Sequence, residues 1–296
     1  MSRIHEALKR AEQERGSLPE RDSAVAVAVP PPRPEPAPVH ASAALAAPFS
    51  FEQLAATCRK VDWQPDLRTM IAVQGRQAHG MEELRTLRTR LYKIREQQNL
   101  RSVLITSAMP AEGKTFVSAN LALTLCSQKE KRVVLVDADL RKPRLHVVLG
   151  APPSPGLTDF LTGTADEAAI VQRSTRENLF FIPGGNMVAN PADLVASSRM
   201  KLLLDRLTSV FDWVIVDSPP AVPVADAHVL SGVCNGTVMV VMAGSTPLDL
   251  AQKAVQQFQD RNLLGAVLNR AERGTGYHSY YYQYGYGEKP AGQHND

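Results

Sequence analysis

One segment near residue 110 restricts the fold of this chain more than any other part of its sequence. In SVLITSAMPAEGKTFVSANLALTL, a β-branched run precedes Ala108–Thr115 and an amphipathic helical pattern follows it. Ala108–Thr115 matches the phosphate-loop pattern, in which Ala or Gly is followed by four residues and then Gly-Lys-Ser/Thr. A chance match in a surface turn is the alternative, but strand, loop and helix are the context that this motif requires. The sequence therefore predicts a phosphate-binding loop in an α/β fold.

The residue types within this loop suit contact with a nucleotide. Backbone N–H groups of the loop and of the helix N-terminus face the phosphates. Gly113 allows close approach, Lys114 supplies a positive charge, and the Thr115 hydroxyl can bind Mg²⁺. ATP and Mg²⁺ are thus the predicted ligands. The predicted nucleotide-binding residues of the loop are Ala108, Met109, Pro110, Ala111, Glu112, Gly113, Lys114 and Thr115.

Acidic residues follow two other apolar runs. Asp137 and Asp139 lie in RVVLVDADLRKP, and Asp217 ends the run in FDWVIVDSPP. Because the carboxyl ends of parallel strands share one edge, where ligands bind, we expect these carboxylates to converge near Lys114. Asp217 has the Walker B position and is predicted to hold Mg²⁺ with Thr115 and Asp139. Asp137 is the candidate that accepts a proton from an attacking hydroxyl, and each acid taken alone could instead be a helix N-cap.

Short apolar runs alternate with helical patterns from residue 80 onward. This alternation predicts a mostly parallel sheet with helices on both faces, the architecture of a P-loop NTPase. Arg141 and Lys142 follow the second acidic strand end, and Arg141 is predicted to contact phosphate or an activating partner; a solvated turn is the alternative. The strand candidates are Ser102–Ser107, Arg132–Asp137, Leu179–Ile182, Trp213–Asp217, Thr237–Met242 and Gly265–Asn269.

The chain divides into five segments. We expect an N-terminal helix (1–21), a Pro/Ala-rich linker (22–50), an ambiguous lead-in (51–79), the P-loop domain (80–272) and a Tyr-rich tail (273–296). The first helix is short enough that a frayed terminus is equally consistent with its sequence.

Composition favours a cytoplasmic protein. Three widely spaced cysteines suit a reducing compartment, and no apolar run approaches the roughly 20 residues of a membrane span. Any membrane association would therefore come through a partner. The net charge of +3 is too small to indicate a nucleic-acid partner, and none is expected.

Tyrosines are concentrated at the C-terminus. The tail reads YHSYYYQYGYG and holds six of the seven tyrosines in the chain. Its Gly and polar content predicts a mobile segment, as a substrate must be to enter a site, whereas a low-complexity tail without enzymatic role is the alternative. The predicted phosphorylation sites are Tyr277, Tyr280, Tyr281, Tyr282, Tyr284 and Tyr286.

A charged helix is expected over about 80–97. Glu82, Arg85 and Arg88 follow the spacing ExxRxxR and therefore lie on one face of that helix. Charge alone would favour a solvated surface.

Together these segments resemble the bacterial tyrosine kinases (BY-kinases) of capsule and exopolysaccharide systems, a family with a MinD/ParA-like fold. Walker A is Ala108–Thr115, the second Walker motif is VLVDADLR and Walker B is VIVDSPP. Further similar blocks are ELRTLRTRL, GLTDFLTG, PGGNMVANPADLV, PPAVPVADAHVLS and LLGAVLNR, and the opening MSRIHEALKRAE resembles an exosortase-associated branch. One departure is Ala111, where the family usually has glycine.

The resemblance implies an enzyme that transfers phosphate from ATP to its own tail tyrosines and regulates polysaccharide synthesis or export. It implies catalytic roles for Lys114, Asp137, Asp139 and Asp217, and a place for Asn269 near the adenine. It also implies a ring-shaped homo-oligomer, held through the ExxRxxR helix, in which one subunit's tail reaches its neighbour's site. A separate transmembrane chain-length regulator and a cognate tyrosine phosphatase are the other implied partners.

Two alternatives have different functions. An ATPase of the ParA/MinD positioning type shares the fold, but it has a second lysine five residues before the main one, where this chain has Met109. A catalytically weak adaptor would use the tail only for recruitment, and the intact lysine, threonine and carboxylates argue against it.

Overall fold

The computed structural model describes residues 50–74, 80–128, 130–174 and 178–271. The predicted N-terminal helix, most of the linker and all six tail tyrosines lie outside the described residues.

A single eight-stranded sheet forms the framework, in the order β1-β4-β5-β3-β6-β2-β7-β8. All neighbouring strands are parallel except β4 and β5, so the predicted parallel α/β fold is confirmed. The strands are β1 (Arg59–Lys60), β2 (Ser102–Ser107), β3 (Val133–Asp137), β4 (Gln172–Arg173), β5 (Leu179–Ile182), β6 (Trp213–Asp217), β7 (Gly236–Met242) and β8 (Leu263–Asn269).

Helices connect the strands, as parallel pairing requires. They are α1 (Phe51–Thr57), α2 (Ile71–Gln74), α3 (Met81–Gln97), α4 (Lys114–Cys126), α5 (Leu145–Leu149), α6 (Leu157–Leu161), α7 (Glu167–Ile170), α8 (Pro191–Val195), α9 (Ser198–Val210), α10 (Asp226–Ser231) and α11 (Leu248–Gln256).

The central strands are buried on both faces. Every residue of β2, β3 and β6 is buried, which explains why these strands are continuous apolar runs rather than alternating ones. Helix α4 is buried along most of its length and packs against this centre. The core therefore fixes the β2–α4 connection, which carries the phosphate loop.

The ambiguous lead-in packs on the sheet domain. Phe51 of α1 makes edge contacts with Phe180 and Phe211 at centroid distances of 5.5 and 5.8 Å. The buried Asn120 of α4 donates to the Thr69 carbonyl (2.8 Å) and accepts from the Ala72 amide (3.0 Å). Aromatic packing and a buried amide thus join this segment to the helix that follows the phosphate loop.

Candidate active site

The phosphate loop has an unusual backbone. Gly113 has φ 97° and Ala111 has φ 66°, so two of three consecutive residues adopt the left-handed conformation. A Cβ on Gly113 would lie only 2.1 Å from Nδ2 of Asn269, which would have to move, and the positive φ also disfavours any residue other than glycine here. Ala111 adopts a conformation that residues with a Cβ disfavour, at the position where the family resemblance led us to expect glycine.

Lys114 and Thr115 begin α4 and point toward the acidic strand ends. Nζ of Lys114 donates to Oδ2 of Asp139 at 2.9 Å, and this ion pair is largely buried. Thr115 donates its hydroxyl to Oδ2 of Asp217 at 2.7 Å. The buried Ser118, one turn along α4, donates to the other oxygen of Asp217 at 2.9 Å. The structure therefore brings the predicted lysine, threonine and two of the acids together.

Asp137 completes the cluster from β3. Its Cα is in register with that of Asp217 on β6, which places both at the same sheet edge. The Asp137 carboxylate is fully buried and accepts from three backbone amides, those of Asp139 (3.3 Å), Arg144 (3.0 Å) and Leu145 (3.0 Å). It thus orders the turn from the end of β3 to α5, although it is not the N-cap residue of that helix, a position that Arg144 occupies.

Burial is the largest single influence on the pKa values of Asp217, Asp137 and Lys114. Desolvation raises the pKa of Asp217 to about 6, against the opposing effects of Lys114, Thr115 and Ser118. Desolvation and then the charge of Asp217 raise the pKa of Asp137 well above its usual range. For Lys114, burial disfavours the ammonium, but the charges of Asp217 and Asp139 outweigh it and raise the pKa. Among the described residues, three buried carboxylates thus surround one ammonium group.

Comparison with known proteins decides what kind of site this is. The family model described as an AAA domain matches residues 102–259. The tyrosine-protein kinase YwqD of Bacillus subtilis (strain 168) is 37% identical over 220 residues, which span 74% of this chain and 92% of that protein. The chain belongs to the bacterial tyrosine-protein kinases. The tyrosine-protein kinase Wzc of Salmonella typhimurium is 35% identical over 211 residues, but the match spans only 29% of that longer protein.

Solved structures of bacterial tyrosine kinase domains are also similar to this chain. The kinase domain of the Escherichia coli tyrosine kinase ETK superposes on this kinase with a TM-score of 0.62 at 29% identity, covering 72% of this chain and 82% of the other. MinD of Pyrococcus horikoshii, at 24% identity and a TM-score of 0.52, shares the fold alone. The kinase is therefore a P-loop nucleotide-binding protein, and its likeness to the positioning ATPases is confined to architecture.

Arg141 of the kinase is engaged within the protein. Its Nε and Nη2 donate to the two carboxylate oxygens of Asp226 at 2.7 and 3.0 Å. Asp226 begins α10 and its side chain is 2% exposed, whereas that of Arg141 is 40% exposed. In this structure the guanidinium therefore joins the β3 loop to α10.

Asn269 ends β8 beside the phosphate loop. Its Nδ2 donates to the Glu112 carbonyl oxygen at 2.8 Å, and its own carbonyl oxygen accepts from the Ala243 amide at 2.9 Å. The predicted adenine-side residue is thus also a support of the loop itself.

The ExxRxxR residues lie away from this edge, on α3. Arg85 pairs with Glu82, and Nη1 of Arg88 donates to the Thr124 carbonyl oxygen (3.2 Å) and to the Ser127 hydroxyl (3.3 Å) at the end of α4. Arg85 and Arg88 line a cleft of about 490 Å³ between α3 and α4. This face is distinct from the phosphate-loop edge.

Three residues of the site were not predicted from the sequence. Ser118 binds Asp217, Asp226 binds Arg141, and Thr246 donates its hydroxyl to the Glu112 carboxylate. Ser118 lies at i+4 from Lys114 on one helix, so helical spacing could have indicated it. The other two contacts join residues 85 and 134 positions apart, and no local pattern reveals them.

Proposed function

We propose that this kinase uses ATP and Mg²⁺ to phosphorylate the tyrosines of its own C-terminal tail. The observation that carries the proposal is the convergence of Lys114, Thr115, Asp139 and Asp217 at the phosphate loop. Phosphoryl transfer requires positioned cations and carboxylates more than covalent chemistry by the protein, and this cluster provides both.

The charges and donor types of the site fit a divalent cation. Three buried carboxylates around one ammonium leave an excess of negative charge that Mg²⁺ would neutralise. Among the described residues, no group of three or more His, Cys, Asp or Glu side chains is arranged to hold a metal ion by itself. Mg²⁺ commonly keeps waters and substrate phosphates as ligands, so Thr115, Asp139 and Asp217 are a sufficient protein contribution. When bound, the ion supplies charge neutralisation at the phosphates.

Asp137 is proposed to accept the proton of the attacking tyrosine hydroxyl. Its raised pKa suits a group that must hold a proton during the reaction. Because the carboxylate is fully buried, the tyrosine must gain access as it binds. Lys114 orients the transferred phosphate, and Arg141 contributes through the position of the β3 loop.

The acceptor is proposed to be the tail of a second copy in a homo-oligomeric ring. The 17 residues after Asn269, up to and including Tyr286, would reach nearly 60 Å if fully extended at ~3.4 Å each. This length is enough to reach across a subunit. Glu82, Arg85 and Arg88 are the proposed contacts between copies, and phosphates of about two charges each would repel one another and loosen the assembly.

The cellular setting is proposed from the family. We infer a role in exopolysaccharide or capsule synthesis or export, in the cytoplasm, with a membrane-bound regulator as activator and a tyrosine phosphatase as opponent. Wzc is more than three times longer than the segment matched here, so a separate chain could supply what its remaining part provides. Within the described part of this chain, no helix has the length and apolar character to cross a bilayer.

The proposal is tested by incubating the purified full chain with Mg²⁺ and ATP and detecting phosphotyrosine. We expect tail phosphorylation in the wild type and its loss in Lys114→Met, because the substitution removes the positive charge beside the phosphates. Lys201→Met, at an exposed position of α9, is the matched control and should behave as wild type.

The outcome also separates the alternatives. Release of inorganic phosphate without phosphotyrosine would support a positioning ATPase instead. An unmodified tail in the presence of a candidate membrane activator would contradict the kinase proposal for this chain.

A further inference from the structure

A hydrogen-bond network around Glu112 joins the phosphate loop to the turn after β7. The Glu112 side chain is buried, and its carboxylate accepts from the Met109 amide at 2.7 Å and from the Thr246 hydroxyl. Its carbonyl oxygen accepts from Asn269. Glu112 takes part in none of the salt bridges found among the described residues. Its buried carboxylate is therefore held by hydrogen bonds from within the protein.

Thr246 is the fixed end of this network. Its hydroxyl donates to Glu112 and accepts from the Met242 amide at 3.0 Å, while its own amide donates to the Met242 carbonyl oxygen at 3.1 Å. The turn 242–246 is thus closed on itself. The hydroxyl is therefore also held by β7 and its turn, through the Met242 amide.

Through Glu112, Thr246 contacts the loop segment 111–113, whose backbone is strained. Ala111 and Gly113, which flank Glu112, have φ values of 66° and 97°. A glycine would adopt the first of these at little cost, but alanine disfavours it and needs surrounding contacts to maintain it. Successive N–H groups can form an anion-binding concavity only if that backbone conformation is kept.

We propose that Thr246 is a positioning residue for nucleotide binding, which acts through the Glu112 carboxylate to hold the Ala111–Gly113 backbone in its phosphate-binding conformation. This inference rests on the proposed binding of ATP at the loop. In this proposal the turn after β7 supports nucleotide binding, although Thr246 itself contacts no phosphate.

The test is titration of the full chain with a fluorescent ADP analogue in Mg²⁺. Thr246→Val keeps the shape of the side chain and removes the hydroxyl, and we expect its Kd to rise about tenfold, the typical effect of losing a hydrogen bond to a charged group. Thr246→Ser restores the hydroxyl and should bring the Kd to within about twofold of wild type. Ser245→Ala, at the exposed neighbouring position, is the matched control and should leave Kd unchanged.

A second background tests the mechanism. In Ala111→Gly the left-handed backbone no longer needs support, so adding Thr246→Val should raise the Kd by less than about threefold. In the phosphorylation assay Thr246→Val should raise the KM for ATP with little change in kcat, because the hydroxyl acts on binding.

Each contrary result has a distinct meaning. If Thr246→Val lowers the Tm but leaves Kd at the wild-type value, the residue is merely structural and the inference is overturned. An equal rise in Kd with and without Ala111→Gly would overturn the role of the strained segment. Failure of the wild type to bind the analogue would instead overturn nucleotide binding itself, and this inference with it.

Discussion

Asp217 is a buried carboxylate at the site, and burial disfavours its charged form. Its carboxylate is 1% exposed and depends on Thr115 and Ser118 for hydrogen bonds. Because burial still raises its pKa to about 6, the ionised form is unfavourable in the nucleotide-free protein. The charged form of Asp217 therefore costs stability, a cost that the proposed binding of Mg²⁺ would offset.

This leads to a prediction about pH. A carboxyl whose pKa is raised in the folded state binds its proton more tightly there than in the unfolded chain. The protonated Asp217 carboxyl therefore stabilises the folded state at low pH, and this stabilisation is lost as the pH rises through about 4 to 6. Asp217→Asn has no carboxylate to bury in charged form, so it should be more stable than the wild type above this range. At about 1.4 kcal/mol for each pKa unit, the nucleotide-free variant should be more stable by roughly 3 kcal/mol at pH 7.5.

The measurement is chemical denaturation of wild type and Asp217→Asn at pH 7.5 and pH 5, in the presence of a chelator. The advantage of the variant should shrink at pH 5, and kinase activity should be absent. Asp205→Asn, at an exposed position of α9, is the control. An advantage that is the same at both pH values would contradict the assigned cause.

Single residues were predictable from the sequence where a motif fixes them. Lys114, Thr115 and Asp217 occupy motif positions, and their contacts follow from a strand–loop–helix unit beside a second strand end. The conformation of Ala111 was not predictable, because the contacts of Glu112 with Thr246 and Asn269 maintain it.

The connections between elements depend on a few polar pairs. The Arg141–Asp226 pair joins the loop after β3 to the start of α10, and it is bidentate. Since Asp226 is almost fully buried, its carboxylate relies on this partner for two hydrogen bonds.

Removal of the guanidinium should therefore destabilise the protein. We expect Arg141→Ala to lower the free energy of unfolding by about 1–3 kcal/mol, because it leaves a buried carboxylate unpaired. In that background Asp226→Asn should recover part of the loss, since a neutral amide is less costly to bury. Denaturant unfolding of the two single variants and the double variant measures the coupling, and strictly additive effects would contradict the pair's importance.

The strands of four or more residues were predicted from the sequence, and the two-residue strands were not. Six apolar runs gave β2, β3, β5, β6, β7 and β8 with ends correct to within two residues, because buried parallel strands are uninterrupted apolar runs. The strands β1 and β4 have two residues each, which is too few for any periodicity, and β4 pairs with β5 in the antiparallel sense. Their positions follow from packing around α1 and α7.

The whole sheet gathers the functional groups at one edge. The ends of β2, β3 and β6 supply the loop and the acids, while β8 ends at Asn269 against the phosphate loop. The chain thus leaves its last described strand, which ends at Asn269, beside the proposed site, and the six tail tyrosines follow 8 to 17 residues later in the sequence. The proposed ring contact on α3 belongs to another face, so in this proposal assembly and chemistry would use separate surfaces.

The central claim, that phosphate bound at Lys114 is transferred to tail tyrosines of a second copy, is tested most directly by a mixing experiment. The donor keeps Lys114 but has all six tail tyrosines replaced by Phe, and the acceptor is Lys114→Met with an intact tail. With Mg²⁺ and ATP, we predict that mass spectrometry finds phosphotyrosine in the acceptor's tail, and that Arg85→Ala with Arg88→Ala in both proteins strongly reduces it. An unmodified acceptor tail alongside an autophosphorylating wild type would contradict transfer between copies, and an unmodified wild type would contradict the kinase assignment itself.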